Sequence, residues 1–275
     1  MDEILLIGEI NLDIYIFNKN VSHTDKYILR PGGVVLNIAY SLKKLGLNSN
    51  IYSYIGKDII GEGIIRKISK DFKIDLIKRT EYTNVIIYII TDEKINLLGL
   101  KKENPRFLFS SEIENYFEKS KIVHISPYIF FNEENYELIK KLIKYDFILS
   151  INLSIPLLKT EKFVKYLKYF NYIFMNYEEA KFLTKSNDLE KIKKILKESH
   201  ENCIVTMNDS VFYISKNKEL KIDYEVYENK VTIGAGDYFI GGFLYGLYKK
   251  SSIEESIKIG NNIAKNYIIY LNSKF

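Results

Sequence analysis

Several residue types are scarce in this chain, and each scarcity excludes a class of protein. The 275 residues include one cysteine, Cys203, and no tryptophan. A lone cysteine cannot form a disulfide within the chain, which excludes a disulfide-held secreted scaffold and favours a cytoplasmic setting. The longest apolar runs, such as VIIYII at 85–90, fall far short of the roughly 20 residues that span a bilayer. The opening MDEILLIGEINLD has acids before and within its apolar run, unlike a signal peptide.

Arginine is also scarce, and the basic residues are not clustered as a nucleic-acid-binding surface requires. The net charge is +5, but only four of the 40 basic residues are arginine, and the lysines are spread over most helical segments. A nucleic-acid surface needs its basic side chains clustered on one face. We therefore expect neither nucleic acid nor a membrane as a partner.

Short β-branched runs alternate along the chain with segments of helical periodicity. Strands that are apolar throughout and separated by helices indicate a parallel sheet covered on both faces. Because the apolar content is 47%, one large core is expected. The predicted strands are 4–10, 50–55, 121–126, 146–151, 171–175 and 202–207, and the predicted helices are 34–45, 59–70, 132–144, 158–169, 177–199, 235–249 and 253–271.

Two segments, at about 12–31 and 83–100, lack a crossover helix and have the pattern of hairpins. The second is predicted to turn at Asp92, Glu93 and Lys94. Together they predict a small antiparallel sheet projecting from the main body as a lid. Because no repeat, proline-rich linker or low-complexity tract interrupts the chain, we expect a single domain over residues 1–275.

The sequence Gly234-Ala235-Gly236-Asp237 stands directly before a well-formed helical pattern. The first amides of a helix are unpaired and lie at the positive end of its dipole, and glycines allow a phosphate to approach them. Asp237 would then accept a proton from a hydroxyl that attacks phosphorus, and the three preceding amides would form an anion hole. The alternative is a tight turn followed by an acid in the first turn of a helix.

Five segments, in order along the chain, resemble signatures of the ribokinase-like, or PfkB, carbohydrate kinase family. The resemblance extends over about residues 4–270. It implies a three-layer α/β/α fold with a mostly parallel central sheet and a small β-sheet lid. It also implies ATP-dependent phosphorylation of a hydroxyl on a sugar or nucleoside. The segments are GEINLD (8–13), PGGVVLNIAYSLKKLG (31–46), IGKDIIGEGI (55–64), NYEEAKFL (176–183) and VTIGAGDYFIGGFLYGLYKK (231–250).

The predicted acceptor site combines polar side chains with bare backbone. Asp13 is expected at the end of the first strand, where its carboxylate can accept two hydrogen bonds from a diol, although a role as a turn residue is the alternative. Glycines before a helix let a sugar contact backbone, and an asparagine amide can both donate to and accept from hydroxyls. The predicted acceptor-binding residues are Asn11, Asp13, Gly32, Gly33 and Asn37.

The resemblance also implies a donor site for ATP and Mg²⁺. Asn176 and Glu179 match the Asn-x-x-Glu motif, in which Glu179 acts on magnesium through a bound water. Their spacing after a strand is equally typical of an N-cap with a first-turn acid. Thr206 is implied at the nucleotide and Asn262 near the adenine.

The chain departs from the family pattern on the donor side. Val231-Thr232-Ile233 stands where Asp-Thr-Thr is usual, Asn208 and Val211 replace two glycines, and Ser150 replaces an acid. These departures motivate an alternative function, a catalytically weak or silent sugar- or nucleotide-binding protein. Exposed strand edges of the lid suggest a homodimer, because unpaired edges seek partners.

Overall fold

A computed structural model provides the structure of the chain. It describes residues 3–17, 26–91, 94–100, 103–225 and 231–274. Within these ranges the strands are β1 (Ile4–Ile7), β2 (Asn11–Phe17), β3 (Tyr27–Gly32), β4 (Asn50–Gly56), β5 (Ile77–Thr80), β6 (Val85–Ile90), β7 (Ile95–Leu100), β8 (Ile122–Ile125), β9 (Ile148–Asn152), β10 (Tyr172–Asn176), β11 (Asn202–Thr206), β12 (Ser210–Ser215) and β13 (Glu219–Asp223).

The helices of the described residues vary widely in length. The longest are the two at the carboxyl end of the chain, which pack against each other. The α-helices are α1 (Val34–Lys44), α2 (Ile59–Ile68), α3 (Ser111–Lys119), α4 (Tyr136–Leu142), α5 (Ile155–Leu158), α6 (Glu161–Tyr166), α7 (Tyr177–Thr184), α8 (Leu189–Ser199), α9 (Ala235–Tyr248) and α10 (Ile253–Asn272).

The larger of two sheets in the described chain has nine strands in the order β13-β12-β11-β10-β9-β8-β1-β4-β5. Helices cover both of its faces. On β1, Leu5 and Ile7 belong to the apolar cluster that includes α3 to α8. Their neighbours Ile4 and Leu6 belong to the cluster that includes α1, α2 and α9. Because successive strand residues point to opposite faces, these clusters are the two interfaces of a three-layer α/β/α arrangement.

The main sheet agrees with the predicted strands at its centre and differs at its edges. All six predicted strands are present, although β1 ends at Ile7 rather than at residue 10. The two edge strands, β5 and β13, and β12 next to the latter were not predicted. The pairs β11 to β12 and β12 to β13 are antiparallel, whereas the pairs from β11 across to β5 are parallel. The sheet is therefore mostly parallel.

Several predicted helices were wrong in extent. The segment 177–199 forms two helices, α7 and α8, because Lys185 adopts a left-handed conformation with φ of 52° that ends the first. The segment 132–144 contributes only α4 after two short 3-10 turns. The segment 158–169 forms α6 and a further 3-10 turn. Helix α3 was missed.

The smaller sheet has the strand order β3-β2-β6-β7. Both predicted hairpins are present, since β2 pairs with β3 and β6 with β7 in antiparallel fashion. The prediction of an antiparallel sheet was wrong at its centre, where β2 and β6 run parallel. Residues 92 and 93 of the predicted turn lie outside the described residues. An apolar cluster containing Tyr15, Ile90, Tyr238 and Tyr267 joins this sheet to α9 and α10.

The topology locates the crevice in which a ligand would lie. From β1 the chain proceeds to β4 on one side, and β8 later returns to pair with the other side of β1. In an open α/β sheet, ligands bind beyond the carboxyl ends of the strands where the strand order reverses in this way. Gly8 and Ser126, the residues that follow β1 and β8, mark this point. In the described part of the chain, no helix combines the length and apolar character needed to cross a membrane.

Candidate active site

Helix α9 begins with donors that have no backbone acceptor. Gly234 caps the helix in a left-handed conformation, with φ of 83°, which glycine adopts without strain. The Ala235 amide donates to the Thr232 carbonyl at 3.0 Å. Among the described residues no backbone acceptor faces the amides of Gly234, Gly236 and Asp237. The helix start therefore presents the amides of Gly234, Gly236 and Asp237, whereas that of Ala235 is engaged.

Asp237, in the first turn of α9, is joined to the start of α1. The Asn37 side-chain nitrogen donates to Asp237 Oδ2 at 2.9 Å. Asn37 is only 5% exposed, so its side chain is buried rather than facing solvent. Two segments that stand 200 residues apart in the sequence thus form one polar centre.

Asp13 lies within β2 rather than at the end of the first strand of the main sheet. It is 2% exposed, and its Oδ1 has no hydrogen-bond partner among the described residues. Gly32 on β3 lies against this carboxyl, since a Cβ there would come within 1.9 Å of Asp13 Oδ2. Such an unpaired buried oxygen is costly, which makes it a strong acceptor for the hydroxyl of a ligand.

The two aspartates affect each other through charge. Burial raises the pKa of Asp237 to about 7, against the opposing effects of the Asn37 hydrogen bond and the Arg30 charge. Burial likewise raises the pKa of Asp13 to about 7, Arg30 opposes this, and the negative charge of Asp237 adds to it. Because the charge of Asp237 reaches Asp13, both carboxyls belong to the same crevice. A carboxyl with a pKa near 7 is suited to take up a proton near neutral pH.

Three of the predicted donor residues, Asn176, Glu179 and Thr206, lie where β10 and β11 end. Asn176 and Glu179 form a capping box: the Glu179 amide donates to Asn176 Oδ1 and the Asn176 amide to Glu179 Oε2, both at 2.9 Å. Burial and, to a lesser extent, the charge of Asp237 raise the pKa of Glu179 to about 7, against the opposing effect of the hydrogen bond from the Asn176 amide. Thr206 pairs with Asn176 in the sheet register. Helix capping and proximity to Asp237 are therefore both properties of this motif.

The remaining predicted residues have less direct links to Asp237. Asn11 is buried at the start of β2, opposite Gly32. Gly33 caps α1 with φ of 102°, and a Cβ there would lie 2.4 Å from the Glu9 carbonyl. Asn262 is exposed on α10.

Three side chains of the crevice are not among the predicted site residues. Arg30 contacts Asn37 directly, and Tyr267 on α10 accepts a hydrogen bond from Arg30 at 2.7 Å. Tyr128 follows β8, and its pKa is raised by burial and by nearby charges that include those of Asp237 and Glu179. The sequence indicates Arg30 as a cation close to the Gly-Gly motif, whereas the two tyrosines occur in segments without a motif.

A small pocket of about 20 Å³ adjoins the crevice. Glu9 links the two, because it lines the pocket and its charge raises the pKa of Asp237. Aromatic rings, including Tyr54, Tyr82 and Phe107, form much of the wall. The described residues that line it include the carboxylates Glu9 and Glu103 but no lysine, arginine or histidine.

The mostly parallel sheet between two helical layers, with the smaller sheet beside the crevice, defines a ribokinase-like α/β fold. The sequence model of the pfkB family carbohydrate kinases matches residues 1–269, and the chain belongs to that family.

Individual relatives differ in their acceptors. The ATP-dependent 6-phosphofructokinase of Thermoanaerobacterium thermosaccharolyticum is 23% identical over 98% of this chain and 88% of its own length. The nucleoside kinase of Methanocaldococcus jannaschii is 28% identical over 94% and 88%. A similar solved structure is that of a putative ribokinase II from E. coli in complex with ATP and Mg²⁺, with a TM-score of 0.81 and 17% identity over 98% and 93% of the two chains.

Proposed function

We propose that the protein is an ATP-dependent kinase that phosphorylates a hydroxyl of a small uncharged sugar or nucleoside. The observation that carries this proposal is the 2.9 Å contact between Asn37 and Asp237 at the amide-bearing start of α9. Asp13 is predicted to bind the hydroxyls of the acceptor, and the charge of Asp237 contributes to its raised pKa. A base, an anion-binding helix start and a buried oxygen acceptor thus share one crevice.

The chemistry assigns each group a task. Asp237 accepts the proton of the acceptor hydroxyl while that oxygen bonds to the γ-phosphorus of ATP and the bond from this phosphorus to the bridging oxygen of ADP breaks. The amides of Gly234 and Gly236, with that of Asp237, hold the charge on the transferred group. Asn37 orients the carboxylate through its hydrogen bond. Asp13 and the backbone at Gly32 and Gly33 hold the acceptor's hydroxyls.

Magnesium fits the carboxylate present at the donor side. Mg²⁺ prefers oxygen ligands and keeps several waters, and it neutralises charge on the phosphates when bound. The described residues contain no group of three His, Cys, Asp or Glu side chains able to hold a metal, so phosphates and water would supply most ligands. Glu179 has Oε2 engaged by Asn176, which leaves Oε1 to accept a hydrogen bond from a metal-bound water. Asn176 and Thr206 would lie beside the nucleotide, with Asn262 toward its adenine.

Charge favours an acceptor without a phosphate. Asp13 and Asp237 lie in the crevice with one cation, Arg30, and the adjoining pocket has Glu9 and Glu103 but no cationic lining residue among those described. A second phosphate placed there would be repelled by several carboxylates.

Tyr15 is 1% exposed and stacked on Tyr88, with ring centroids 5.0 Å apart, so Tyr15 is a core residue and does not stack on a nucleoside base.

A coupled assay of ADP release over matched acceptors tests the proposal. The panel contains free ribose and fructose, their monophosphates, and purine and pyrimidine nucleosides, each with ATP and Mg²⁺. Turnover with an uncharged acceptor at a kcat/KM at least about tenfold above that with its phosphate supports the proposal. Ligand binding without turnover across the panel would instead favour the alternative, a silent sugar- or nucleotide-binding protein.

We also propose a homodimer formed through the smaller sheet. Strand β7 is an edge strand that is exposed throughout, and it carries apolar side chains, with Leu97 64% and Leu98 51% exposed. Long apolar strand edges tend to pair with another chain. The second copy would cover β7 and lengthen the sheet that closes over the crevice.

A further inference from the structure

The side chain of Arg30 extends from β3 of the smaller sheet into the active-site crevice. It stands opposite Asp13 in the register of β2 and β3. Its guanidinium carbon lies 5.9 Å from the ring centroid of Tyr15 and 5.5 Å from that of Tyr267. Nη1 also donates to the Tyr267 hydroxyl at 2.7 Å. Because Tyr15 belongs to β2 and Tyr267 to α10, Arg30 fastens the smaller sheet to the body of the protein.

The guanidinium fixes the orientation of the Asn37 amide. Arg30 Nη2 donates to Asn37 Oδ1, and the Asn37 amide nitrogen donates to Asp237 Oδ2. If the amide turned over, its NH₂ would face the guanidinium and its oxygen would face a carboxylate, so both contacts would become repulsive. Arg30 thus determines which end of Asn37 meets Asp237.

Arg30 is also the cation that acts on both aspartates of the crevice. Its charge opposes the effect of burial on the pKa of Asp13 and of Asp237. The opposing acids are Glu9, whose charge raises the pKa of Asp237, and Asp13 and Glu179, whose pKa values the charge of Asp237 raises in turn. The charge of Asp237 also raises the pKa of three tyrosines, which are Tyr88 on β6, Tyr128 after β8 and Tyr267 on α10.

We propose that Arg30 is a positioning residue of the kinase, which orients Asn37 toward Asp237 and couples both to the docking of the smaller sheet. The proposal rests on the proposed function, because it gives Asp237 the role of base. Arg30 acts on Asp237 through Asn37 and through its own charge, so the orientation and the pKa of Asp237 would depend on the position of β3.

The test compares Arg30→Met and Arg30→Lys with the wild type and with Arg66→Met. Arg66 is exposed on α2 and serves as a matched control for the loss of one positive charge. The measurements are the pH profile of kcat/KM and, independently of turnover, a carbon-13 NMR titration of the Asp237 carboxyl. Removing a nearby cation disfavours the carboxylate, so its pKa must rise and the acidic limb of the profile must move to higher pH.

For Arg30→Met we expect the limb and the NMR titration to move up by about one pH unit or more, while Arg66→Met leaves both in place. Arg30→Lys keeps the charge but not the fork of donors, so it should shift the limb less. Its kcat at the plateau should nevertheless fall by about 10- to 100-fold because the base is misplaced.

Identical limbs and titrations for Arg30→Met and Arg66→Met would overturn the inference. If Arg30→Met does not fold, as judged by circular dichroism, wild-type kcat and limb for Arg30→Lys would overturn it as well. Absence of turnover in the wild type with every acceptor would count against the proposed function, and the NMR titration would still decide the role of Arg30.

Discussion

Asn37 and Asp237 lie at the starts of α1 and α9, and a 2.9 Å hydrogen bond from the Asn37 amide to Asp237 Oδ2 joins them. The two helices flank the same face of the main sheet, and their contact is extensive. The amide that directs Asp237 is therefore anchored in the core rather than on a loop. A base held this way keeps its geometry when the acceptor enters.

Replacing Gly32 with alanine should damage acceptor binding. The new Cβ would come within 1.9 Å of Asp13 Oδ2 and 2.1 Å of its Cγ, so the carboxyl must move. We expect KM for the acceptor to rise by about tenfold or more, since a displaced polar group loses its hydrogen bonds to the ligand. Steady-state kinetics with saturating Mg-ATP measures this.

The matched control is Gly63→Ala on α2, where a Cβ would meet nothing within 4 Å. Alanine within a helix should stabilise the protein by about 0.5 to 1 kcal/mol and leave KM unchanged. Equal KM values for Gly32→Ala and the wild type would contradict the location of the acceptor beside Asp13.

The sequence was sufficient to predict the architecture but not its boundaries. The buried strand β1 is apolar throughout and β8 and β10 are mainly apolar, and this pattern predicted both their positions and the parallel sheet. The edge strand β13 has alternating burial and charged residues, so its apolar content gave no signal. The break at Lys185 was missed because a lysine in a left-handed conformation carries none of the usual signs of a helix end.

Asp13→Asn should make stability less dependent on pH. The pKa of Asp13 is about 7 in the folded protein and near 4 in an unfolded chain. Between these values the folded state binds more protons, so its free energy of unfolding falls as pH rises from 4 to 7. At pH 8 we expect the variant to be more stable than the wild type by about 1 to 3 kcal/mol, with little difference at pH 4.

Urea unfolding at pH 4, 6 and 8 measures that difference, with Asp146→Asn at an exposed position as the control. A wild type that gains stability relative to Asp13→Asn as the pH rises would contradict the raised pKa of Asp13.

Glu179→Gln separates the charge of this residue from its role in the helix cap. Glutamine at the third helical position completes a capping box as glutamate does, so we expect the fold to be retained. Loss of the carboxylate should raise KM for Mg-ATP by about tenfold or more, because partners of metal-bound groups contribute that much to affinity. The exposed neighbour in Glu178→Gln is the control, and equal effects of the two changes would exclude a role at magnesium.

Leu97→Glu should convert the dimer to a monomer. A carboxylate on the exposed edge strand β7 would be buried without a partner in a paired edge. Light scattering coupled to size-exclusion chromatography measures the mass. Ile143→Glu, at an exposed apolar position after α4, controls for the added charge. A wild-type mass equal to one chain would rule out the dimer at the concentration used.

The sequence predicted the site residues that occur in motifs better than the side chains that connect those residues in the folded protein. Gly32, Asn37 and Asp237 occur in short motifs whose spacing reflects backbone geometry, and in the structure Asn37 contacts Asp237 while Gly32 lies against Asp13. Arg30 and Tyr267 stand 237 residues apart, and only the folded chain places one against the other. The Ala235 amide looked as free as its neighbours, because its bond to Thr232 depends on the turn before α9.

The most direct test of the account is the turnover of Asp237→Asn. Asparagine preserves the size of the side chain but cannot take the proton. We therefore expect kcat to fall by about 10²- to 10⁴-fold, while the acceptor Kd from calorimetry stays within about threefold. A variant that retains the kcat of the wild type would contradict the claim that Asp237 is the base.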